Sequence, residues 1–269
     1  MLAKQVLVLS RVAKTYRAGV VGCAAAIDGL RGLSLRLRAG ELAVVEGGRG
    51  AGKTTLLLCA AGMIHPDEGQ VLWPSLVPRP GRPPAGIGYA SDRAPAYGFL
   101  TVRESLAYAA TVCELRAPGA ACGAAELLEL AELRDYADTR QVLLPDSERA
   151  RLLVAMALVA SPRLLLVDDL VGGTSAHGAA AFARCLTCAA ASGIGVLWAA
   201  SAVRAEARPE SAYVLADGRL RRTRIGPTRR TGVQAPPRLV QAFSAARTPA
   251  ALEREQATPA AASSAVREH

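Results

Sequence analysis

The sequence lacks an apolar run long enough to cross a membrane, which requires about 20 residues. The best candidate, Leu152–Ala160, is ended by Ser161, Pro162 and Arg163. Met1–Lys4 leads directly into the strand-like segment VLVLS, without the pattern of a secretory signal. We therefore expect a chain that is soluble by itself and cytoplasmic.

Cysteine is scarce and poorly spaced for metal binding. Six occur in 269 residues, and only Cys185 and Cys188 have C-x-x-C spacing. A structural zinc site needs four ligands, and no second pair supplies the other two. Both residues lie in an alanine-rich segment of helical pattern, where cysteine behaves as a small apolar residue. We interpret them as packing residues in a reducing compartment.

Acidic residues are missing from the C-terminal stretch 219–247, which contains eight arginines. The formal net charge of the chain is +9, and most of it comes from this stretch. A basic segment can attract anionic lipid or nucleic acid, but a solvated tail is the commoner case, so no specific nucleic-acid partner is predicted. Residues 226–269 are rich in Pro, Arg, Ala, Ser and Thr and are predicted to form a disordered tail, with a weak helix near Pro237–Phe243. The arginines of the stretch are Arg219, Arg221, Arg222, Arg224, Arg229, Arg230, Arg238 and Arg247.

Apolar runs of strand length recur along the chain and alternate with helical patterns in its later part. They lie at 5–10, 33–37, 42–46, 70–73, 86–89, 164–168, 195–199 and 211–216. This alternation favours a largely parallel sheet with flanking helices. From Asp92 to Pro162 the strands stop, and helices are predicted at the capping box Thr101–Glu104, at Ala124–Asp138 and at Ser147–Ala160. We predict an α/β fold over 1–225 with an inserted helical subdomain at about 92–162.

A complete G-x-x-x-x-G-K-T motif lies between an apolar run and a helical pattern. Glycine N–H groups can surround phosphates, a helix N-terminus adds partial positive charge, Lys53 reaches the β- and γ-phosphates, and Thr54 can ligate Mg²⁺. The alternative is a glycine-rich turn without a ligand, which the correct offsets of both side chains disfavour. The predicted nucleotide-binding residues are Gly47, Gly48, Arg49, Gly50, Ala51, Gly52, Lys53, Thr54 and Thr55.

The apolar run at 164–167 ends in two carboxylates, Asp168 and Asp169. A buried strand can place such an Asp beside the Mg²⁺ of a phosphate loop. Strands often end in Asp, so the signal becomes strong only in combination with Lys53 and Thr54. More than a hundred residues separate the two motifs. This distance, filled by predicted helices, disfavours small kinases and GTPases.

In this order, the segments resemble the ATP-binding subunit of ABC transporters over residues 5–222. The similarity is carried by the blocks LRGLSLRLRAGELAVVEGGRGAGKTTLLLCAAGMIHPDEGQV, IGYASD with LTVRESLAYAA, LVASPRLLLVDD and YVLADGRL. The resemblance implies the P-loop NTPase core of ABC type, ATP and Mg²⁺ as ligands, and Thr54 and Asp168 as Mg²⁺ ligands. It also places Tyr16 on adenine, although a packed strand-end tyrosine is the alternative.

Several positions depart from the family pattern. Asp92 stands where the family has a glutamine, and it is a possible additional Mg²⁺ ligand. Asp169 stands at the catalytic glutamate and is the remaining candidate for the base, while Ser201 stands at the switch histidine. Gly172–Ser175 replaces the dimer-contact segment Ser-x-Leu-Asp. The LSGGQ signature aligns with Leu144, Pro145, Asp146, Ser147 and Glu148.

These departures weaken the predicted chemistry. Pro145 has no N–H to donate, and Asp146 replaces a glycine at a close backbone approach. Asp146 and Glu148 bring negative charge towards a triphosphate, and two unit charges about 4 Å apart interact by about 4 kcal/mol at an effective dielectric of about 20. Asp169 is one methylene shorter than glutamate, and Ser201 cannot carry positive charge. We expect ATP binding with slow or undetectable hydrolysis.

The resemblance implies a subunit on the cytoplasmic face of the membrane, bound to a separate transmembrane permease subunit. It also implies a homo- or heterodimer with another ATP-binding subunit. The alternative is a nucleotide-binding regulatory protein that keeps the fold without driving transport. Soluble ABC proteins of DNA repair or translation are disfavoured, because the sequence has no tandem ATPase domain, coiled-coil arm or zinc motif.

Overall fold

The computed structural model describes residues 4–20, 23–79, 82–92, 97–116, 122–170, 175–201 and 209–223, with 237, 240, 241 and 243. Its strands are β1 (Gln5–Val20), β2 (Cys23–Arg38), β3 (Leu42–Glu46), β4 (Glu68–Leu72), β5 (Val77–Arg79), β6 (Arg82–Ala85), β7 (Ile87–Ser91), β8 (Leu164–Asp168), β9 (Gly195–Ala200), β10 (Ser211–Ala216) and β11 (Arg219–Thr223). Its α-helices are α1 (Lys53–Ala60), α2 (Val102–Arg116), α3 (Ala124–Leu130), α4 (Asp146–Leu158) and α5 (Ala176–Ala191).

The central sheet has six strands in the order β11-β10-β3-β9-β8-β7. Every neighbouring pair is parallel except the β10–β11 hairpin, which confirms the predicted largely parallel sheet. In register, Ser91 pairs with Asp168, Asp168 with Ala199, and Glu46 with Ala200. The segments that follow β3, β7, β8 and β9 therefore meet at one edge, where ligands bind in open α/β sheets.

A second sheet is antiparallel, with the order β2-β1-β4. Strands β1 and β2 have 16 residues each and are much longer than the predicted runs at 5–10 and 33–37. The predicted runs are their apolar parts. The hairpin continues beyond them through backbone pairing, as between Tyr16 and Ile27, with several register shifts along the way. Backbone hydrogen bonds extend a strand without an apolar pattern, so this extension has no sequence signal.

The apolar residues form two clusters, one on each face of the central sheet. The cluster between the sheets contains Leu7 and Leu37 of the antiparallel sheet, Leu56 of α1 and Leu166 of β8. The cluster on the other face joins Val167, Trp198 and Leu42 to residues of α2–α5. Alternate residues of β3, β8 and β9 enter opposite clusters, as the side-chain period of two requires.

The helical subdomain follows the sequence closely at its start and departs from it later. The predicted capping box opens α2, since Thr101 N–H donates to Glu104 Oε2 at 2.8 Å and Glu104 N–H to Thr101 Oγ1 at 3.2 Å. The helix predicted over Ala124–Asp138 is wrong in length, because α3 ends at Leu130. Glu132 has the left-handed φ of 53°, which stops helical hydrogen bonding there. A short 3₁₀ turn, Arg134–Tyr136, follows.

Most of the predicted tail, 226–269, lies outside the described residues. The described residues of the tail, 237, 240, 241 and 243, are helical and lie in the segment where a weak helix is predicted. The side chain of Phe243 is fully buried and belongs to the cluster that contains residues of α2–α5. Within the described ranges, no helix combines the length and the apolar character needed to cross a membrane.

Candidate nucleotide site

The glycine-rich loop between β3 and α1 has a backbone that only glycine adopts easily. Gly50 and Gly52 have φ of 81° and 103°, in the region that other residues avoid. A Cβ on Gly52 would lie 2.2 Å from the carbonyl oxygen of Gly29 on β2, whereas Gly48 has open space around it. The loop is therefore packed against β2 on one side and open on the other.

Lys53 begins α1, and its side chain folds back over the loop. Its Nζ donates to the carbonyl oxygens of Gly47 at 2.7 Å and Gly48 at 3.1 Å. The residue is 7% exposed, so its charge lies in a partly desolvated position at the mouth of the loop. The motif lies between a strand and a helix, as predicted, and its lysine packs on the loop carbonyl groups.

Asp168 ends β8 at the same edge of the sheet. It is 8% exposed, and Tyr89 of β7 donates its hydroxyl proton to Asp168 Oδ2 at 3.1 Å. Thr54 is half-buried in the first turn of α1. Tyr89 orients one carboxylate oxygen, a role the sequence did not indicate; the only local signal is its position in the IGY run of β7, next to β8 in the sheet.

Asp169 and Ser201 are in direct contact. Ser201 N–H donates to Asp169 Oδ1 at 2.9 Å, and the Ser201 hydroxyl donates to Asp169 Oδ2. Asp169 Oδ2 lies 3.6 Å from Lys53 Nζ, and Lys53 Nζ lies 3.4 Å from Ser201 Oγ. Both predicted catalytic positions thus meet at Lys53.

Tyr16 lies beside the first turn of α1. Its hydroxyl donates to Thr55 Oγ1 at 3.4 Å, and a Cβ on Gly29 would be 3.0 Å from Tyr16 Cε2, so the ring lies over Gly29. The residue is 39% exposed. The ring is thus partly exposed and lies next to the glycine-rich loop, while part of it packs on β2.

The signature-position residues lie at the start of α4, with Pro145 as its N-cap. The two acidic side chains are paired within this segment. Asp146 accepts from Arg149 at 2.6 Å, and Glu148 accepts from the buried Arg151 at 2.8 Å. Each acidic side chain therefore has an arginine beside it, which offsets part of the repulsion expected from the sequence.

Ser147, between the two acidic signature residues, faces the interior. It is 8% exposed, and a Cβ on Gly178 of α5 would lie 2.6 Å from Ser147 Cβ. Arg151 also donates to the carbonyl oxygens of Ala131 at 2.8 Å and Glu132 at 3.0 Å. Sequence patterns missed this role of Arg151, because the carbonyl groups that it binds carry no residue-type signal.

Three further predicted positions have simpler surroundings. Arg49 is exposed. Asp92 is also exposed and accepts from Ser91 Oγ at 3.4 Å, one residue beyond the strand that pairs with Asp168. Of the predicted dimer-contact segment, 172–174 lies outside the described residues, and Ser175 caps α5 by accepting from Gly178 N–H at 3.1 Å.

Comparison with known proteins identifies the family. The model of the family described as ABC transporter matches residues 30–171. The lipopolysaccharide export system ATP-binding protein LptB of Escherichia coli K12 is 30% identical over 194 residues, which is 70% of this chain and 80% of LptB. The chain belongs to the ABC transporter family. It is an ATP-binding subunit, as the resemblance of its motifs implied.

Two further similarities agree with this assignment to the ABC family. The ABC transporter ATP-binding/permease protein Rv1747 of Mycobacterium tuberculosis is 36% identical over 166 residues, 55% of this chain and 18% of Rv1747. The ATP-binding cassette MJ0796, solved as a dimer in a post-hydrolysis state with ADP and Pi, has a TM-score of 0.65 at 22% identity, covering 82% of this chain and 100% of that one. The structural similarity concerns the fold alone.

The residues present fit ATP and Mg²⁺, the ligands expected of an ABC subunit. The open face at Gly48 leaves room for phosphates, and Lys53 supplies a cation there. Among the described residues, no cluster of three or more His, Cys, Asp or Glu could hold a metal. A magnesium ion at this edge would therefore rely on Thr54, Asp168 and oxygens of the nucleotide, the small protein donor set that Mg²⁺ commonly uses.

Proposed function

We propose that this ABC subunit binds ATP at the phosphate loop, with Mg²⁺ held by Thr54 and Asp168. The observation that carries the proposal is the position of Lys53, whose Nζ is fixed over the loop by the carbonyl oxygens of Gly47 and Gly48. Lys53 neutralises phosphate charge, and the loop N–H groups and the N-terminus of α1 bind phosphate oxygens. A bound magnesium ion would be held by Thr54 and Asp168 and would offset part of the negative charge of the phosphates.

Tyr16 would supply the contact to the base. An aromatic ring with one exposed face can stack on adenine, and the hydrogen bond to Thr55 sets its orientation relative to α1. Asp92 lies close in the chain to Ser91, the register partner of Asp168, and is proposed as an additional magnesium contact.

Hydrolysis is proposed to be slow. Asp169, the shorter carboxylate, has both oxygens bonded by Ser201, and Ser201 has no charge to stabilise a transferring phosphoryl group. Pro145 offers no N–H at the start of α4. In a dimer of ATP-binding subunits, each composite site would then contain an altered group from this chain, whether the second subunit is identical or different.

The proposed partner is a separate transmembrane permease subunit, bound through the helical subdomain. An apolar patch, which we call the aromatic patch, lies there: Tyr97, Phe99, Tyr108, Val142 and Leu143, between 37% and 70% exposed. The ring centroid of Tyr97 lies 6.0 Å from that of Phe99 and 5.1 Å from that of Tyr108. The patch is formed by two segments of the chain, 97–108 and 142–143. They are joined by the hydrogen bond from Val142 N–H to Gly98 O at 3.3 Å. Contiguous exposed apolar surface of this kind marks protein interfaces.

The alternative function, a regulatory protein that binds nucleotide without driving transport, is favoured by the altered groups around Asp169 and α4. The two functions differ in the partner. Binding to a membrane protein encoded beside this chain supports the transporter subunit, whereas a lone gene next to regulators favours the alternative.

The test of nucleotide binding is Lys53→Ala, measured by calorimetry with MgATP. We expect the variant to lose detectable binding, because no other described lysine reaches the loop. Lys4→Ala, an exposed lysine at the start of β1, is the matched control and should bind as wild type. Wild-type affinity in Lys53→Ala would contradict the assignment. Slow hydrolysis is tested on the purified wild-type chain by measuring the release of phosphate from ATP. A rate of roughly 1–10 s⁻¹, as in ordinary enzymes, would contradict it.

A further inference from the structure

The carboxylate of Asp169 is held in one orientation by contacts from both sides. Ser201 donates to both of its oxygens, through the backbone N–H at 2.9 Å and through the hydroxyl. The backbone of Asp169 has a φ of 43°, and its N–H donates to Ala199 O at 2.9 Å. Aspartate tolerates this left-handed conformation better than most residues. The chain therefore fixes both the position and the direction of this carboxylate.

The direction in which it points is towards Lys53. Asp169 Oδ2 lies 3.6 Å from Lys53 Nζ, and Ser201 Oγ, which donates to that same oxygen, lies 3.4 Å from Nζ. Nζ also donates to Gly47 O and Gly48 O. An ammonium group has three protons. Two go to the loop, and the third faces the Asp169–Ser201 pair.

We propose that Asp169 is a built-in counter-ion of Lys53, that Ser201 is the positioning residue that keeps it there, and that nucleotide phosphates bind in competition with this carboxylate. The inference rests on the proposed function, in which phosphates bind at Lys53. According to this proposal, Asp169 and Ser201 act together to lower the affinity for nucleotide.

The competition has a defined thermodynamic form. A ligand that binds only when Lys53 is released from Asp169 has an apparent affinity reduced by the fraction of molecules in which it is released. The Ser201 hydroxyl stabilises the paired state, because a hydrogen bond to a charged group is stronger than one between neutral groups. Removing the hydroxyl while keeping the Asp169 charge should therefore increase affinity.

The decisive variant is Ser201→Ala, with Ser201→Thr as the conservative control. Binding of ATP and of ADP with Mg²⁺ is measured by calorimetry on the full chain. We expect Ser201→Ala to bind both nucleotides roughly tenfold more tightly or better, the effect of losing one hydrogen bond to a charged group. Ser201→Thr keeps the hydroxyl and should remain close to wild type.

The comparison of the two nucleotides separates this inference from a direct phosphate contact. If Ser201 instead contacts the γ-phosphate, Ser201→Ala weakens ATP and leaves ADP unchanged, which overturns the proposal. Unchanged or weaker binding of both nucleotides also overturns it. Loss of binding in Lys53→Ala together with unchanged affinity in Ser201→Ala would leave the proposed function standing and remove only the counter-ion.

A second measurement needs no nucleotide. The chain has three lysines, Lys4, Lys14 and Lys53, so ¹³C NMR of labelled lysine side chains resolves few signals. The Lys53 signal should shift in Ser201→Ala and in Asp169→Asn, while the signals of Lys4 and Lys14 stay in place and report an intact fold. A Lys53 signal that does not move in either folded variant contradicts the pairing.

Discussion

At the scale of single residues, contacts to the base and to the phosphates can be measured separately. Tyr16→Ala removes the ring beside α1, and stacking of a base on an aromatic ring is worth about 1–3 kcal/mol. We expect the affinity for ATP to fall by about tenfold, the equivalent of roughly 1.4 kcal/mol, with little change for inorganic triphosphate. Tyr16→Phe keeps the ring and loses only the 3.4 Å bond to Thr55, so it should bind ATP nearly as wild type.

An equal loss for ATP and triphosphate in Tyr16→Ala would show that Tyr16 packs the phosphate loop and does not contact adenine. Calorimetry with both ligands distinguishes the two outcomes directly.

The residues of the phosphate loop could be predicted from sequence because their chemistry depends on short, fixed offsets. Lys53 and the glycines stand at these offsets, and the positive φ of Gly50 and Gly52 follows the glycine pattern. Tyr89 could not be predicted, since it reaches Asp168 from a strand 79 positions earlier in the chain. A hydrogen bond over that distance depends on which strands are neighbours.

At the scale of helices and strands, Arg151 joins α4 to the segment after α3, and Glu132 of that segment joins it to α5. Arg151 lies on α4, binds the carbonyl groups that follow α3, and pairs with Glu148, whose side chain is 13% exposed. Glu132 in turn accepts hydrogen bonds from Nε and Nη2 of Arg184 on α5, at 2.8 Å each. We expect Glu148→Gln, which restores the family's residue type, to lower the free energy of unfolding by about 1 kcal/mol. Chemical denaturation checks this value.

The matched control is Asp146→Asn, which removes the charge of an exposed pair with Arg149 in the same helical turn. Exposed pairs contribute little, so a change of less than about 0.5 kcal/mol is expected. Equal losses in the two variants would contradict a special role for Glu148.

The Glu148 contribution should depend on pH. Burial raises the pKa of Glu148, but the hydrogen bond from Ser147 and the charge of Arg151 outweigh it, so the pKa lies below its ordinary value of 4.5. A carboxyl group with a lowered folded-state pKa adds stability that is complete above its ordinary pKa and is lost as pH falls through the lowered one. The stability difference between wild type and Glu148→Gln should therefore be largest above about pH 4.5 and shrink in more acidic solution. A difference that grows on acidification would reverse the assignment.

Local signals predicted some helix ends and missed others. The capping box of α2 is contained within four residues, and the structure has it as predicted. The end of α3 depends on Glu132, which turns the chain where Arg151 and Arg184 bind. Helical propensity continues past this point, so only packing between helices determines where α3 stops.

At the scale of the whole molecule, a substitution in the aromatic patch tests whether this chain acts as a transporter subunit or as a regulatory protein. Phe99→Asp places a charge on a side chain that is 70% exposed, so the fold should keep its stability. We expect the variant to lose co-purification with the proposed transmembrane permease subunit, because burying an unpaired charge in an interface is unfavourable. Leu72→Asp on β4, 50% exposed and outside the patch, is the control.

If Phe99→Asp and Leu72→Asp both co-purify with the membrane protein at wild-type levels, the aromatic patch is not the docking surface. If the wild-type chain fails to co-purify with any membrane protein, the regulatory alternative gains support.

The sequence by itself determined the phosphate loop, the aspartate at the end of β8, the parallel sheet and the departures from the family motifs. Each of these depends on short offsets or on the period of apolar residues. Only the tertiary structure decided what the altered residues contact. Asp169 accepts a hydrogen bond from Ser201 and lies beside Lys53, and Glu148 accepts a hydrogen bond from Arg151. Lys53 and Ser201 are 148 positions apart in the chain, so their contact depends on the strand order that brings β3, β8 and β9 together.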